Sequence, residues 1–163
     1  LPTFLSPNEV DQIISHTKTF RNRLMIELAY SAGLRVSELV KIKVEHLKLD
    51  RLMLHVPELE RNKRTTFFSK YLKDSLGRQI GAKNIGQYLF PSERGGALTT
   101  RAVAKFFKKS LIASGIKKLA TPHSLRQSFI NFRFNQGTDL DAIKNTLGQK
   151  ITFSTFSDSK KAA

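Results

Sequence analysis

Three short stretches of this chain combine side chains that can act on a phosphate group. The first is Ser31-Ala32-Gly33-Leu34-Arg35-Val36-Ser37-Glu38-Leu39. Gly33 forces a turn, Arg35 leaves it, and Glu38 follows one helical turn later. From such a corner a guanidinium can grip a phosphate through two parallel N–H bonds. Read alone, the same residues also make a plain Arg35–Glu38 surface pair, which is worth little. The second stretch is Thr121-Pro122-His123-Ser124-Leu125-Arg126-Gln127-Ser128-Phe129. Pro122 starts a helix, and His123 and Arg126, three apart, share a face. They fall in the first turn, where open backbone N–H groups and the helix dipole favour anions. A His and an Arg aimed together from that point can donate to a phosphate and to its leaving oxygen. His123 reads equally well as a capping or packing histidine. Leu125, Phe129 and Phe132 are expected on the opposite, core-facing side. The third stretch, Thr146-Leu147-Gly148-Gln149-Lys150, ends a helix at Gly148 and places a polar residue directly after it. In isolation that is an ordinary helix stop.

The charge of the chain gives these patterns a context. Its 163 residues hold 28 Lys and Arg against 13 Asp and Glu, a formal charge of +15. The excess is uneven. From Arg94 to Thr138 no Asp or Glu occurs, while Arg94, Arg101, Lys105, Lys108, Lys109, Lys117, Lys118, Arg126 and Arg133 all lie within that window. A solubilising surface intersperses both signs. A block of one sign makes a focused field that attracts phosphates and releases counterions on binding. The first third is closer to balance, with Glu9, Asp11, Glu27, Glu38, Glu45 and Asp50, and reads as scaffold.

Other chemistries find no support. Cysteine is absent, which excludes disulfides and thiolate sites and fits a reducing compartment. His16, His46, His55 and His123 are scattered, with no zinc-ligand spacing, and neither phosphate-cradling glycine loop occurs. Paired carboxylates near the basic region are missing too, which argues against a two-metal nuclease. No apolar run approaches the roughly 18 residues of a membrane span, and Leu1 to Val10 lacks the layout of a signal peptide. An intracellular, cytoplasmic and nucleoid-associated domain acting on nucleic acid is expected, without metal, cofactor or membrane.

The elements that must position these residues are mainly helical. Ser6-Pro7-Asn8-Glu9 is a helix start with a capping box. Val10, Ile13 and Ile14 give its buried stripe. A second helix is expected over Phe20 to Ala32, partly burying Leu24, Ile26, Leu28 and Ala29 and closed by Gly33 in the left-handed conformation. A short helix should follow at Val36 to Ile42. The period then changes: Leu52, Leu54 and Val56 alternate with polar neighbours as in a strand. A turn at Glu60 to Lys63 and a returning strand at Thr65 to Phe68 complete a small antiparallel hairpin. Further helices are expected at Lys70 to Ile80, Thr100 to Ser114, His123 to Gln136 and Asp139 to Leu147. The stretch from Gly81 to Gly96 reads as a surface connection. The fold class is therefore α+β, mainly helical, in one domain over residues 1–163, with residues 152–163 read as a frayed or altered tail.

Taken in order, these patterns resemble the catalytic domain of the tyrosine recombinases, the phage-integrase and Xer-like family, over essentially the whole chain. Residues 31–39 resemble the family's first arginine motif, 122–129 its His-x-x-Arg motif, and 137–150 the segment running into its Leu-Gly-His box. The hairpin sits where the family carries a lysine on a β-turn. The resemblance implies that a tyrosine hydroxyl attacks a DNA phosphate, giving a 3′-phosphotyrosyl link and a free 5′-hydroxyl, and that a partner strand reverses the step. It implies Arg35 and Arg126 on the non-bridging oxygens, His123 in proton transfer and positioning, and Lys63 as general acid. It further implies duplex or branched DNA as partner, with Arg101, Lys105, Lys108, Lys109, Arg133 and Lys150 as contacts to it. A tetramer on DNA and no metal or cofactor are implied as well. The N-terminal DNA-clamping domain that the family joins to this one is expected to be absent, and binding accordingly weak.

The chain departs from the family at its end. Gln149 replaces the histidine of the Leu-Gly-His box; it can hydrogen-bond a phosphate oxygen but cannot exchange a proton. The tyrosine position falls on Asp158, and the three tyrosines, Tyr30, Tyr71 and Tyr88, all lie before the box. A carboxylate cannot replace the phenol beside a phosphate that repels it. The chain as written is expected to lack its nucleophile through a degenerate or altered C-terminus. A DNA-binding remnant or regulator of the same fold is the alternative. A basic RNA- or ribosome-associated protein fits the composition but leaves the order of the motifs unexplained.

Overall fold

The computed structural model describes residues 2–57 and 64–137. Helix α1 (Pro7–Ser15) begins as expected: the Ser6 hydroxyl accepts from the Glu9 N–H, and the Glu9 carboxylate accepts from the Ser6 N–H. Helix α2 (Phe20–Ala32) has Thr19 as its N-terminal cap. It buries Leu24, Met25, Ile26, Leu28, Ala29 and Ala32. These cover somewhat more than half of its circumference, a wider face than the stripe of a surface helix, and α2 is the central helix. It ends on Gly33, whose φ of 68° is the left-handed region that a side chain enters at a cost. Helix α3 (Val36–Leu39) is shorter than the sequence suggests. After Leu39 the chain tightens, with N–H bonds from Lys41 to the Glu38 carbonyl and from Ile42 to that of Leu39.

The expected antiparallel pair forms and a short third strand joins it: β1 (Leu47–Lys48), β2 (Met53–Val56) and β3 (Arg64–Phe67), in the order β1-β2-β3. β1 has only two residues, too few to show an alternation. Leu52, expected in the strand, instead closes a tight turn over Leu49–Arg51 with φ 56°. In β2–β3 the register pairs Leu54 with Thr66 and Val56 with Arg64. All four of these side chains are buried, so the inner face of β3 carries two polar groups, Arg64 and Thr66. Leu54 and Val56 join the main core.

After β3, a one-turn 3₁₀ segment at Lys70–Leu72 precedes helix α4 (Lys73–Ile80). Ser69 accepts from the Tyr71 N–H and starts that tighter turn, so the α-helix begins three residues later than expected. The stretch from Gly81 to Gly96 is not wholly a surface connection. Leu89 and Phe90 are buried, the Leu89 N–H bonds the Ile42 carbonyl at 2.8 Å, and Lys43 pairs with Tyr88. Helix α5 (Thr100–Ser114) is capped by Thr99 and ended by Gly115. Helix α6 (Pro122–Asn135) starts one residue before His123.

The helices α1, α5 and α6 pack around α2, and Ile13, Leu28, Val103, Phe107 and Leu125 meet in one core. The buried face of α6 is unusual in carrying Ser124, Arg126 and Ser128 beside Leu125 and Ile130. Phe129 is only half-buried and Phe132 is 37% exposed, so the expected core face of α6 is wrong beyond Leu125. The polar groups take the interior because each finds a partner there, as the site shows. The expected helix at 139–147 and the tail at 152–163 lie outside the described residues.

Candidate active site

The α2–α3 corner positions Arg35. Its backbone N–H donates to Glu38 Oε1 at 2.8 Å, which caps α3 and fixes the direction in which the Arg35 side chain leaves. Arg35 is 40% exposed, whereas Glu38 lies beneath it, nearly covered. The surface-pair reading of Arg35 and Glu38 therefore fails. Their charged groups are 3.9 Å apart, and Glu38 has closer partners within the protein.

Those partners are two buried arginines. Arg64 Nη2 lies 2.5 Å from Glu38 Oε1, and Arg126 Nη1 lies 3.7 Å from the same oxygen. Arg126 is wholly covered, and its Nη1 donates to the Gly33 carbonyl at 2.8 Å. Three guanidinium groups thus surround one carboxylate, and the cluster keeps a net positive charge. Burial, with Arg35 and Arg64 adding like-charge repulsion, lowers the Arg126 pKa to about 10, and Glu38 opposes the fall. Arg126 stays charged at neutral pH.

His123 and Arg126 do share the start of α6, but at different depths: His123 is exposed while Arg126 points inward. Partial burial lowers the His123 pKa below 6.5, and the nearby charges of Arg126 and then Arg35 push the same way. The ring is therefore neutral at pH 7 and able to take up a proton. The structure brings Arg35, His123 and Arg126 into one electrostatic group.

The remaining predicted residues divide in two. Arg101, Lys105, Lys108 and Lys109 are exposed on the outer face of α5. Arg133 is exposed ten residues along α6 from His123, about 15 Å by helical rise. It stacks over Phe129 at 5.9 Å and lines a cleft of about 340 Å³ with Tyr30, Phe67 and Phe132. Lys63, Gln149, Lys150 and Asp158 lie outside the described residues. Among the described residues no group of three or more His, Asp or Glu is placed to hold a metal ion.

Arg64 was not singled out by sequence. Its signal is faint: a cation two residues from Thr66 in a short strand, in phase with the buried side. Thr66 uses the same face, donating from Oγ1 to the Ala32 carbonyl at 3.0 Å. Together they fasten β3 to both sides of the Arg35 corner.

The sequence model described as the phage integrase family matches residues 3–155 of the chain. The chain belongs to that family. Its matched region is the catalytic domain of the tyrosine recombinases, as the order of the arginine and His-x-x-Arg motifs implies. Tyrosine recombinase XerC of Anoxybacillus flavithermus is 31% identical over 169 residues, covering 95% of this chain and 56% of the relative. XerD of Oceanobacillus iheyensis is 33% identical over 162 residues, covering 91% and 54%. This phage-integrase-family chain thus spans about half the length of the curated relatives it matches. Among solved structures, XerA recombinase superposes with a TM-score of 0.82 at 21% identity, covering 99% of this chain and 65% of that one. XerH bound to a palindromic difH substrate, a post-cleavage complex, gives 0.83 at 21%, covering 99% and 51%. At these identities the structures establish the shared fold: a helical domain with a small antiparallel sheet.

Proposed function

We propose that this chain is the DNA breaking-and-rejoining domain of a site-specific recombinase, acting on duplex or branched DNA. One observation carries the reading: Arg35, Arg126 and a neutral His123 share one positively charged site built on a single buried carboxylate. A phosphate under attack gathers negative charge on its non-bridging oxygens, and fixed guanidinium groups beside it stabilise that charge. Arg35, reaching solvent, meets such an oxygen directly. Arg126 adds its charge from beneath the corner, and direct contact with a phosphate requires its covered fork to become exposed.

In this reading His123 serves proton transfer, Lys63 protonates the leaving 5′-oxygen, and Gln149 donates to a phosphate oxygen. The cations of α5, with Arg133 and Lys150, hold the DNA backbone. The assembly on DNA is a homo-oligomer, a tetramer holding two duplexes. The solved relative XerH, whose structure contains its difH substrate, lends support.

The covalent step needs a hydroxyl where Asp158 stands. Asp158→Tyr is expected to yield an SDS-resistant protein–DNA adduct on a nicked duplex carrying the recombination site. The tyrosine oxygen would bond to phosphorus as the bond to the 5′-oxygen breaks. Salt-sensitive DNA binding without any adduct would overturn the cleavage reading. It would favour the second reading, DNA binding without chemistry, which rests on the lack of any tyrosine after Tyr88. Site-dependent nicking by the unmodified chain would defeat that second reading.

A further inference from the structure

A buried ion pair needs a reason. Taking an arginine and a glutamate out of water costs roughly what their attraction returns, and apolar replacements are often as stable. Arg64 and Glu38 are both nearly covered, so their pairing is weak as an account of stability. Its geometry suggests another role. Glu38 is within reach of three guanidinium groups, and their distances rank them: 2.5 Å to Arg64, 3.7 Å to Arg126 and 3.9 Å to Arg35. Coulomb attraction falls with distance, and the direct hydrogen bond from Arg64 adds to it.

We propose that Arg64 is a positioning residue: it takes the direct hydrogen bond at Glu38 Oε1, so that Arg35 and Arg126 stay in looser ion pairs with that carboxylate, at 3.9 and 3.7 Å, and keep more of their charge for a bound phosphate. The claim rests on the reading of the site as one for DNA phosphate. Three features support it. Arg64 sits in the inward phase of β3, level with Val56, and cannot reach DNA from there without leaving the core. Glu38 Oε1 is already committed to the Arg35 backbone N–H at 2.8 Å, so a side-chain oxygen must remain at this point to cap α3, and here it carries the carboxylate's charge. Without a dedicated cation, that fixed carboxylate would draw the site's own arginines from these looser pairs into direct hydrogen bonds. Thr66, beside Arg64 on the same face, holds the Ala32 carbonyl and keeps the strand and the corner in one register. An arginine suits the task because its delocalised, weakly hydrated charge tolerates burial better than an ammonium.

The test is a double-mutant cycle read on binding to a labelled duplex of arbitrary sequence at fixed salt. In the unmodified chain, Arg35→Ala should weaken binding roughly tenfold. With Arg64→Met, Glu38 captures a site arginine. Binding should weaken, and a further Arg35→Ala should cost little. Adding Glu38→Gln to Arg64→Met removes the captor and should restore the full cost of Arg35→Ala. A change that acted only through net charge would leave the Arg35→Ala cost the same in every background. That result overturns the proposal while leaving the DNA reading intact.

If Arg64→Met does not fold, Arg64→Gln replaces it, keeping a polar side chain without the charge. A reduced Arg35→Ala cost supports the proposal, and an unchanged cost overturns it. If the unmodified chain shows no salt-sensitive DNA binding, the functional reading fails on its own. The cycle is then read on the His123 titration of the DNA-free protein by NMR. Capture of Arg35 or Arg126 should raise its midpoint, and an unmoved midpoint overturns the proposal.

Discussion

Arg126 Nη1 donates to the carbonyl oxygen of Gly33 at 2.8 Å across 93 positions of sequence. The bond ties the first turn of α6 to the left-handed residue that separates α2 from α3. The two arginine motifs are thereby one mechanical unit as well as one charge cluster. Arg126→Met should leave the buried Gly33 carbonyl without this donor and remove the second-nearest cation from Glu38, which keeps its bond to Arg64. A loss of about 3 kcal/mol is expected, measured as a lowered urea midpoint with an unchanged slope. DNA affinity should fall as well, although Arg126 has no exposed surface in the unliganded protein.

His123 gives a pH signature with a definite sign. Its folded-state pKa lies below the ordinary 6.5 because of partial burial and the charges of Arg126 and Arg35. The unfolded chain therefore binds this proton more readily than the folded one. Above the unfolded value both states are neutral, and the folded state loses nothing. As pH falls through 6.5 toward the folded value, the unfolded state gains protons first and stability declines. His46 contributes in the same direction, chiefly through burial. His123→Gln should flatten part of this decline while leaving stability at pH 8 nearly unchanged, as chemical denaturation at a series of pH values would show.

Ser128 makes a prediction independent of any function. Its hydroxyl accepts the Leu5 N–H at 2.8 Å and donates to the Ser124 carbonyl. It holds the extended start of the chain against α6. Ser128→Ala leaves a buried N–H without that acceptor, at a cost of about 1–3 kcal/mol. The amide of Leu5 should exchange with solvent much faster in the variant. Unchanged protection at Leu5 would show that the hydroxyl is dispensable.

Much of this architecture is legible in sequence wherever local chemistry decides it. Helix α2 runs from Phe20 to Ala32 as read, because Thr19 and Gly33 bracket a hydrophobic run; α5 does so between Thr99 and Gly115. Misreadings occur where a distant contact overrides the local pattern. Phe132 has the periodicity of a core residue but is 37% exposed and lines a surface cleft, while Ser128 and Arg126 are buried on partners, Leu5 and Gly33, that lie in another part of the chain. Strand β1 exists only because β2 pairs with it. At the site, the order of Arg35, His123 and Arg126 is readable. The depth of Arg126 and the role of Arg64 are not, since both depend on where Glu38 is buried.

The acid-free window also needs sorting by structure, and Lys118 supplies the test. It lies in that window, yet its ammonium group is 2.7 Å from Glu9 Oε1 and 3.0 Å from the Phe4 carbonyl. It is committed to the N-terminal segment despite the basic sequence around it. Arg101, Lys105 and Lys108 recur at helical spacing on the exposed side of α5, with Lys109 beside them, and are free to meet a polyanion. For every phosphate that the protein no longer neutralises, the slope of log affinity against log salt should shrink by about 0.9. Substituting Lys105 and Lys108 by Met should therefore flatten the slope by up to about two phosphates' worth. Lys118→Met should leave the slope unchanged and instead lower the thermal midpoint by a small amount, since an exposed pair is worth about 0–1 kcal/mol. Equal slopes for the α5 double variant and the unmodified chain would remove this face of α5 from the DNA-binding surface.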